Sequence, residues 1–213
     1  MSFGSVAPQK ASLTRLVFAT TEAEQACLRQ RSQELELRFR TAPTSTLVPD
    51  LLDLRQVHIT LYDQLCPTLP IAVGTFRGTQ GTALATARRE VRVANATGNT
   101  RSIDPCLEPH LVMDRMHDLY KRIEDFVAVP HQHEALENLS SLTHAFLTIH
   151  PFLDGNGHTW RLALLGLARI CRLTPCLSWT VHQRPFGSEF SSALQSYPST
   201  PDHLINVLGR YFD

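Results

Sequence analysis

From His158 to Leu173 the side chains are apolar nearly all round: Leu162, Ala163, Leu164, Leu165, Leu167, Ala168 and Ile170 leave no wide polar stripe. A helix of that kind has no face to give to water and belongs in the middle of a bundle. No apolar run reaches the roughly 18 residues of a membrane span, so neighbouring segments must cover it. Three stretches have the three- and four-residue apolar spacing to do so, namely Leu51–Leu65, His110–Val127 and Glu134–Ile149. Shorter helices are expected at Ser188–Ser196 and Pro201–Tyr211. Thr21–Arg40 reads as a polar, exposed helix, with Thr20 or Thr21 as N-cap and acids in its first turn. Thr41–Pro49 reads as a connector, Val73–Arg77 as a short extended piece, and the Gly/Thr-rich Gly78–Thr86 as mobile. Alternation in Arg88–Val93, a turn at Asn95–Asn99 and a return at Arg101–Ile103 predict one hairpin. The expected fold is mostly α: a helical core over 49–175, an N-terminal segment 1–48 and a helical supplement 176–213 packed on the core.

Composition narrows the function. A chain of 213 residues can bury a real core as one domain. Lys+Arg and Asp+Glu balance at 20 each, so no global field draws in nucleic acid or an anionic membrane. Any positive potential must be local to a site. The five cysteines (27, 66, 106, 171 and 176) form no CxxC pair and no zinc pattern, which suits reduced thiols in the cytoplasm. Residues 1–21 carry Lys10 and Arg15 and no acid, and read as a loosely packed N-terminus more than as a targeting sequence.

The chemistry is concentrated in His150-Pro151-Phe152-Leu153-Asp154-Gly155-Asn156-Gly157-His158-Thr159-Trp160-Arg161. A glycine-rich turn between two helices aims backbone N–H groups at an anion lying at the start of the second helix. His150 suits proton abstraction from an incoming hydroxyl, Asp154 a divalent cation, and Asn156 a phosphoryl oxygen. A bland helix–loop–helix corner would also use Asp-Gly-Asn-Gly, but has no need of His before and Arg after it. Other histidines carry no assigned chemistry: His58 reads as a buried, hydrogen-bonded residue, His144 as packing or capping, and His131 and His133 as too few for a metal.

These residues resemble the Fic family motif, matching it at His150, Phe152, Asp154, Gly155, Asn156, Gly157 and Arg161. They depart at His158, where the family has Arg. The helix holding His58, the Gly74-Thr75-Phe76-Arg77 segment, the hairpin and the helix from His110 follow the order of a Fic core, over about Leu51–Pro175. The resemblance implies a Fic-type helical bundle with a small β-hairpin flap. It implies a protein adenylyltransferase moving AMP from ATP to a Ser, Thr or Tyr hydroxyl of a target protein. His150 would be the base, Asp154 the Mg²⁺ ligand, and Gly155, Asn156, Gly157, His158 and Arg161 the nucleotide-binding residues. In the family Arg161 would hold the terminal phosphate, Phe152 would set loop geometry from the core, and the flap (Glu90, Val91, Arg92, Val93) would hold the target by strand addition. Trp160 reads as packing, with purine stacking as the alternative.

His158 opens three consequences: phosphate binding as imidazolium, weak binding with slow turnover, or a nucleotide other than ATP. The alternative function is a nucleotide-binding regulatory or toxin–antitoxin-type module with little catalysis, restrained by an antitoxin or inhibitory partner. The nearest match to a family self-inhibiting helix is Thr20–Gln25, with Gln25 where Gly or Asn belongs, and Glu24 would then pair with Arg161.

Overall fold

Leu162, Leu164, Leu165 and Leu167 are all at most 1% exposed, as the all-round apolar pattern requires. They lie on α6 (Asn156–Ile170), against which α1 (Glu22–Thr41), α2 (Thr44–Leu52), α3 (Leu54–Tyr62) and α5 (Ala135–Ile149) pack. The computed structural model describes residues 18–88, 91–94, 100–103, 106–130, 132–176, 179–182 and 187–212. Strands β1 (Val91–Ala94) and β2 (Thr100–Ile103) pair antiparallel, with Val91 opposite Ile103 and Ala94 opposite Thr100. Then come α4 (Val112–Ala128), packed on α5 and α2, and a C-terminal pair, α7 (Gly187–Ser196) and α8 (Pro201–Gly209), with α8 against α5. Lys10, Arg15, Glu90, the Asn95–Asn99 turn and His131 lie outside the described residues.

Several expectations need correction. Helix α1 is not simply exposed: Leu28, Ser32, Leu35 and Phe39 form a buried stripe at helical spacing and join the common core. Gly166 lets α1 and α2 side chains pack on the α6 backbone, since a Cβ there would lie 3.1 Å from the Phe39 ring and 3.2 Å from Leu51 Cδ2. The stretch read as a connector is helical from Thr44, despite Pro49 inside α2. Burial of Leu47 and Leu51 outweighs the hydrogen bond that proline removes. The helix expected over Leu51–Leu65 is broken at Asp53, whose carboxylate accepts from Arg55 N–H at 3.2 Å and starts α3. Gly78–Thr86 is a series of turns pinned by Gly78 N–H to Leu84 O (2.8 Å), with Leu84 fully buried.

Val73–Arg77 forms no strand but carries the principal tie beneath the motif. Arg77 is 0% exposed and donates to four carbonyls: His150 O (2.9 Å), Ile149 O (3.0 Å), Leu107 O (3.1 Å) and Ala87 O (3.2 Å). Ala87 and Leu107 flank the hairpin, so one buried guanidinium ties its base to the end of α5.

Candidate functional site

Helix α5 ends on His150, whose left-handed backbone (φ 50°) turns the chain into the glycine loop. Its Nδ1 faces Leu147 O at 3.3 Å. A carbonyl only accepts, so Nδ1 carries the proton and Nε2 the lone pair, the tautomer a general base needs.

The loop is held from below by His58, which is fully buried. Gly74 N–H donates to its Nδ1 (3.0 Å), so the ring proton sits on Nε2 and goes to Asp154 O (3.0 Å). Burial holds this imidazole down to about 4, against the weaker raising effect of the Asp154 carbonyl. Its ring stacks on Phe152 with centroids 4.0 Å apart, and Phe152 is itself 0% exposed. Gly155 caps α6 at φ 78°, where a Cβ would lie 2.3 Å from the Tyr62 ring. Asn156 was expected to bond a phosphoryl oxygen through its side chain, but the amide is engaged elsewhere. Its Oδ1 accepts from Phe152 N–H (2.9 Å) and its Nδ2 donates to Phe152 O (2.8 Å). That staple closes the loop, and the backbone N–H groups of the first α6 turn are the donors that a helix start can offer an anion.

Around this turn stand the charged and polar groups. Asp154 accepts from Gly155 N–H at Oδ1 (2.8 Å) and from Phe18 N–H at Oδ2 (3.0 Å). Phe18 is buried, edge-on to the rings of His58 and Tyr62. His158 Nδ1 is joined to Tyr62 Oη at 2.9 Å, and burial pushes that phenol well above its ordinary range. Arg161 is 8% exposed and donates through Nε to Val181 O at 2.6 Å. Its Nη1 lies over Gly157, where a Cβ would be only 3.0 Å away. His182 stands beside His158, with ring centroids 5.5 Å apart. Burial first, then the Arg29 and Arg161 charges, push its imidazole down, which marks a locally positive environment in a chain of zero net charge.

Other expectations resolve plainly. Trp160 is packing, not a purine platform: it is 2% exposed, stacked on Phe146, and its Nε1–H donates to Thr143 Oγ1 (2.9 Å). Glu24 does not pair with Arg161. It closes a capping box on its own helix, accepting from Thr20 N–H (2.7 Å) and Thr21 N–H (2.9 Å). Val91, Arg92 and Val93 lie on β1 of the hairpin. His144 stacks on Tyr197 (4.7 Å).

The sequence model of the Fic/DOC family matches residues 49–168, more than half of the chain. The chain belongs to the Fic/DOC family. Its Fic core begins within α2 and ends within α6, so α1 and the segment after α6 add to the shared framework. Two solved structures share the fold. One is the BepC protein, a VirB-translocated effector from Bartonella tribocorum with bound AMPPNP (TM-score 0.57, 14% identity, 87% of this chain and 84% of that one). The other is the N-terminal Fic domain of a VirB-translocated Bep effector from Bartonella quintana (TM-score 0.58, 15% identity, 95% of this chain and 89% of that one). No curated protein sequence matches the chain. Family membership places this Fic site among those built for nucleotide binding and transfer.

Sequence reasoning missed Phe18, Tyr62, Val181 and His182. All four come from outside the motif, and only the tertiary fold brings them to it. Among the described residues no three His, Cys, Asp or Glu side chains cluster for a metal, and no helix is long and apolar enough to cross a membrane.

Proposed function

We propose that this Fic protein is a protein adenylyltransferase that moves AMP from ATP to a Ser, Thr or Tyr hydroxyl of a target protein. The observation that carries the reading is a histidine at the end of α5, its Nδ1 turned to Leu147 O, followed at once by the glycine turn that starts α6. The target hydroxyl gives its proton to His150 Nε2 as its oxygen attacks the α-phosphorus, and the bond to the departing pyrophosphate breaks. Backbone N–H groups of the first α6 turn, with the helix dipole behind them, stabilise the phosphoryl charge. Arg161 holds the terminal phosphate, and His158 takes the neighbouring position that Arg holds elsewhere in the family. Asp154 would hold Mg²⁺, which supplies charge neutralisation on the phosphates. Among the described residues the hairpin pairs with no third strand, which suits addition of a target peptide to its edge. The AMPPNP in the Bartonella tribocorum neighbour fits ATP as substrate.

The second reading is a nucleotide-binding module with little catalysis, working with an antitoxin or inhibitory partner. It is favoured by the Phe18 N–H already on Asp154 and by the Tyr62 bond to His158. Transfer of label from α- and γ-labelled ATP, with wild type and His150→Ala, separates the two. Label on protein from the α position only, lost in the variant, is expected for adenylyl transfer. ATP binding without label from either position overturns it in favour of the second reading.

A further inference from the structure

Trp179–His182 is a short strip of chain lying between Arg161 and α1, bonded along both sides. On one side Arg161 Nε donates to Val181 O at 2.6 Å. On the other, Val181 N–H donates to Glu36 Oε2 at 3.0 Å. Arg40 completes the arrangement: its Nε and Nη2 reach Glu36 Oε1 (3.0 and 2.9 Å), and Nη2 also donates to Trp179 O (2.9 Å). Only the φ and ψ of Val181 separate the bond to Glu36 from the bond to Arg161. Val181 is 0% exposed, so its side chain is held in the core while its N–H and C=O are bonded on opposite sides.

We propose that Glu36 is a positioning residue for nucleotide binding: through the backbone of Val181 it sets the direction in which Arg161 presents its guanidinium to a terminal phosphate. The proposal rests on the reading of Arg161 as the residue that holds that phosphate. An arginine anchored at Nε can swing its two Nη groups only within the plane its anchor allows, and phosphate recognition by guanidinium depends on that plane. Here the anchor is a carbonyl of a segment with no regular secondary structure, and a segment of that kind needs a second tie to hold a carbonyl still. Glu36 supplies that tie through one carboxylate oxygen while Arg40 engages the other. Gln keeps one acceptor oxygen for two claimants, and Ala keeps none.

Glu36 and Arg161 therefore form one unit across three segments: α1, the Trp179–His182 strip and α6. The family match ends at residue 168 and includes neither Glu36 nor Val181. Support for the phosphate-holding arginine thus comes from parts of the chain outside the matched core.

The test uses the full chain and measures binding of ATP and of AMP, each with Mg²⁺, to wild type, Arg161→Ala, Glu36→Ala and Glu36→Gln, with thermal unfolding alongside. Arg161→Ala is expected to weaken ATP and spare AMP. Glu36→Ala is expected to weaken ATP roughly five- to tenfold, leave AMP within about twofold, and Glu36→Gln to fall between. The ratio of the two affinities is insensitive to a fraction of unfolded protein, so a loss of stability does not obscure the result. If Arg161→Ala costs ATP affinity and Glu36→Ala does not, the positioning role is wrong while the nucleotide reading stands. Equal loss of ATP and AMP would make Glu36 merely structural. A gain in ATP affinity in Glu36→Ala would make it a restraint, the opposite of what is proposed. If Arg161→Ala leaves ATP binding unchanged, the nucleotide reading falls and takes this proposal with it.

Discussion

Gly155 has two independent reasons to be glycine. Its φ is 78°, and a Cβ would sit inside the Tyr62 ring, 2.3 Å from Cε2. Gly155→Ala should destabilise the fold by about 2–4 kcal/mol, read as a lowered unfolding midpoint, because both strain and overlap act at once. Asn156→Ala should cost about 2 kcal/mol, since it strands a buried N–H and a buried carbonyl of Phe152 together. His150→Ala should behave oppositely, leaving stability and ATP binding near wild type while transfer is lost. An equal loss of binding would instead make His150 part of the nucleotide cradle. At this scale the residue types of the motif were legible, because base, carboxylate, glycines and arginine announce their chemistry. The role of the Asn156 side chain was not legible. An amide four residues from its partner backbone looks the same in sequence whether it closes a loop or meets a phosphate.

Helix boundaries follow the local chemistry where capping is strong and diverge from it where packing is stronger. The capping box of Thr21 and Glu24 starts α1 at Glu22 as its sequence suggests. Thr21→Ala should cost about 1 kcal/mol. Glu24→Ala should loosen the same helix end without raising transfer activity, and a clear increase in activity would revive the inhibitory pairing with Arg161. Pro49 argued against a helix and lost to the burial of Leu47 and Leu51. At Asp53 a capping bond from Arg55 N–H breaks what apolar spacing alone reads as one helix. Helix α6 was identified because its pattern depends on nothing outside itself. The stripe on α1 was overlooked because Leu28, Ser32, Leu35 and Phe39 are diluted among charges and one of them is polar.

Across the whole molecule, a single buried imidazole couples stability to pH. His58 titrates near 4 in the folded protein and at an ordinary 6.5 once unfolded. Between those values the unfolded chain takes up a proton that the folded one refuses. Stability therefore falls as pH drops from about 6.5 to about 4, by about 3 kcal/mol in all, and this group's slope dies away within about one pH unit above 6.5. Denaturant midpoints measured across that range, beside His58→Gln, check it: the variant should show a shallower decline. The four-carbonyl tie of Arg77 works at the same scale, joining segments more than 70 residues apart, and no local pattern could have revealed it.

The Phe18 amide and a cation would compete for one oxygen of Asp154. If Asp154 takes the cation of a Mg²⁺–nucleotide and the two occupants exclude each other, whatever free energy that amide bond contributes to holding Phe18 in place would be subtracted from that affinity, and the reverse. The two occupants can thus report on each other without any catalysis. Adding Mg²⁺–ATP should speed hydrogen exchange at the Phe18 amide, and chelating the cation should slow it again. An exchange rate indifferent to the cation would mean that Asp154 has room for both.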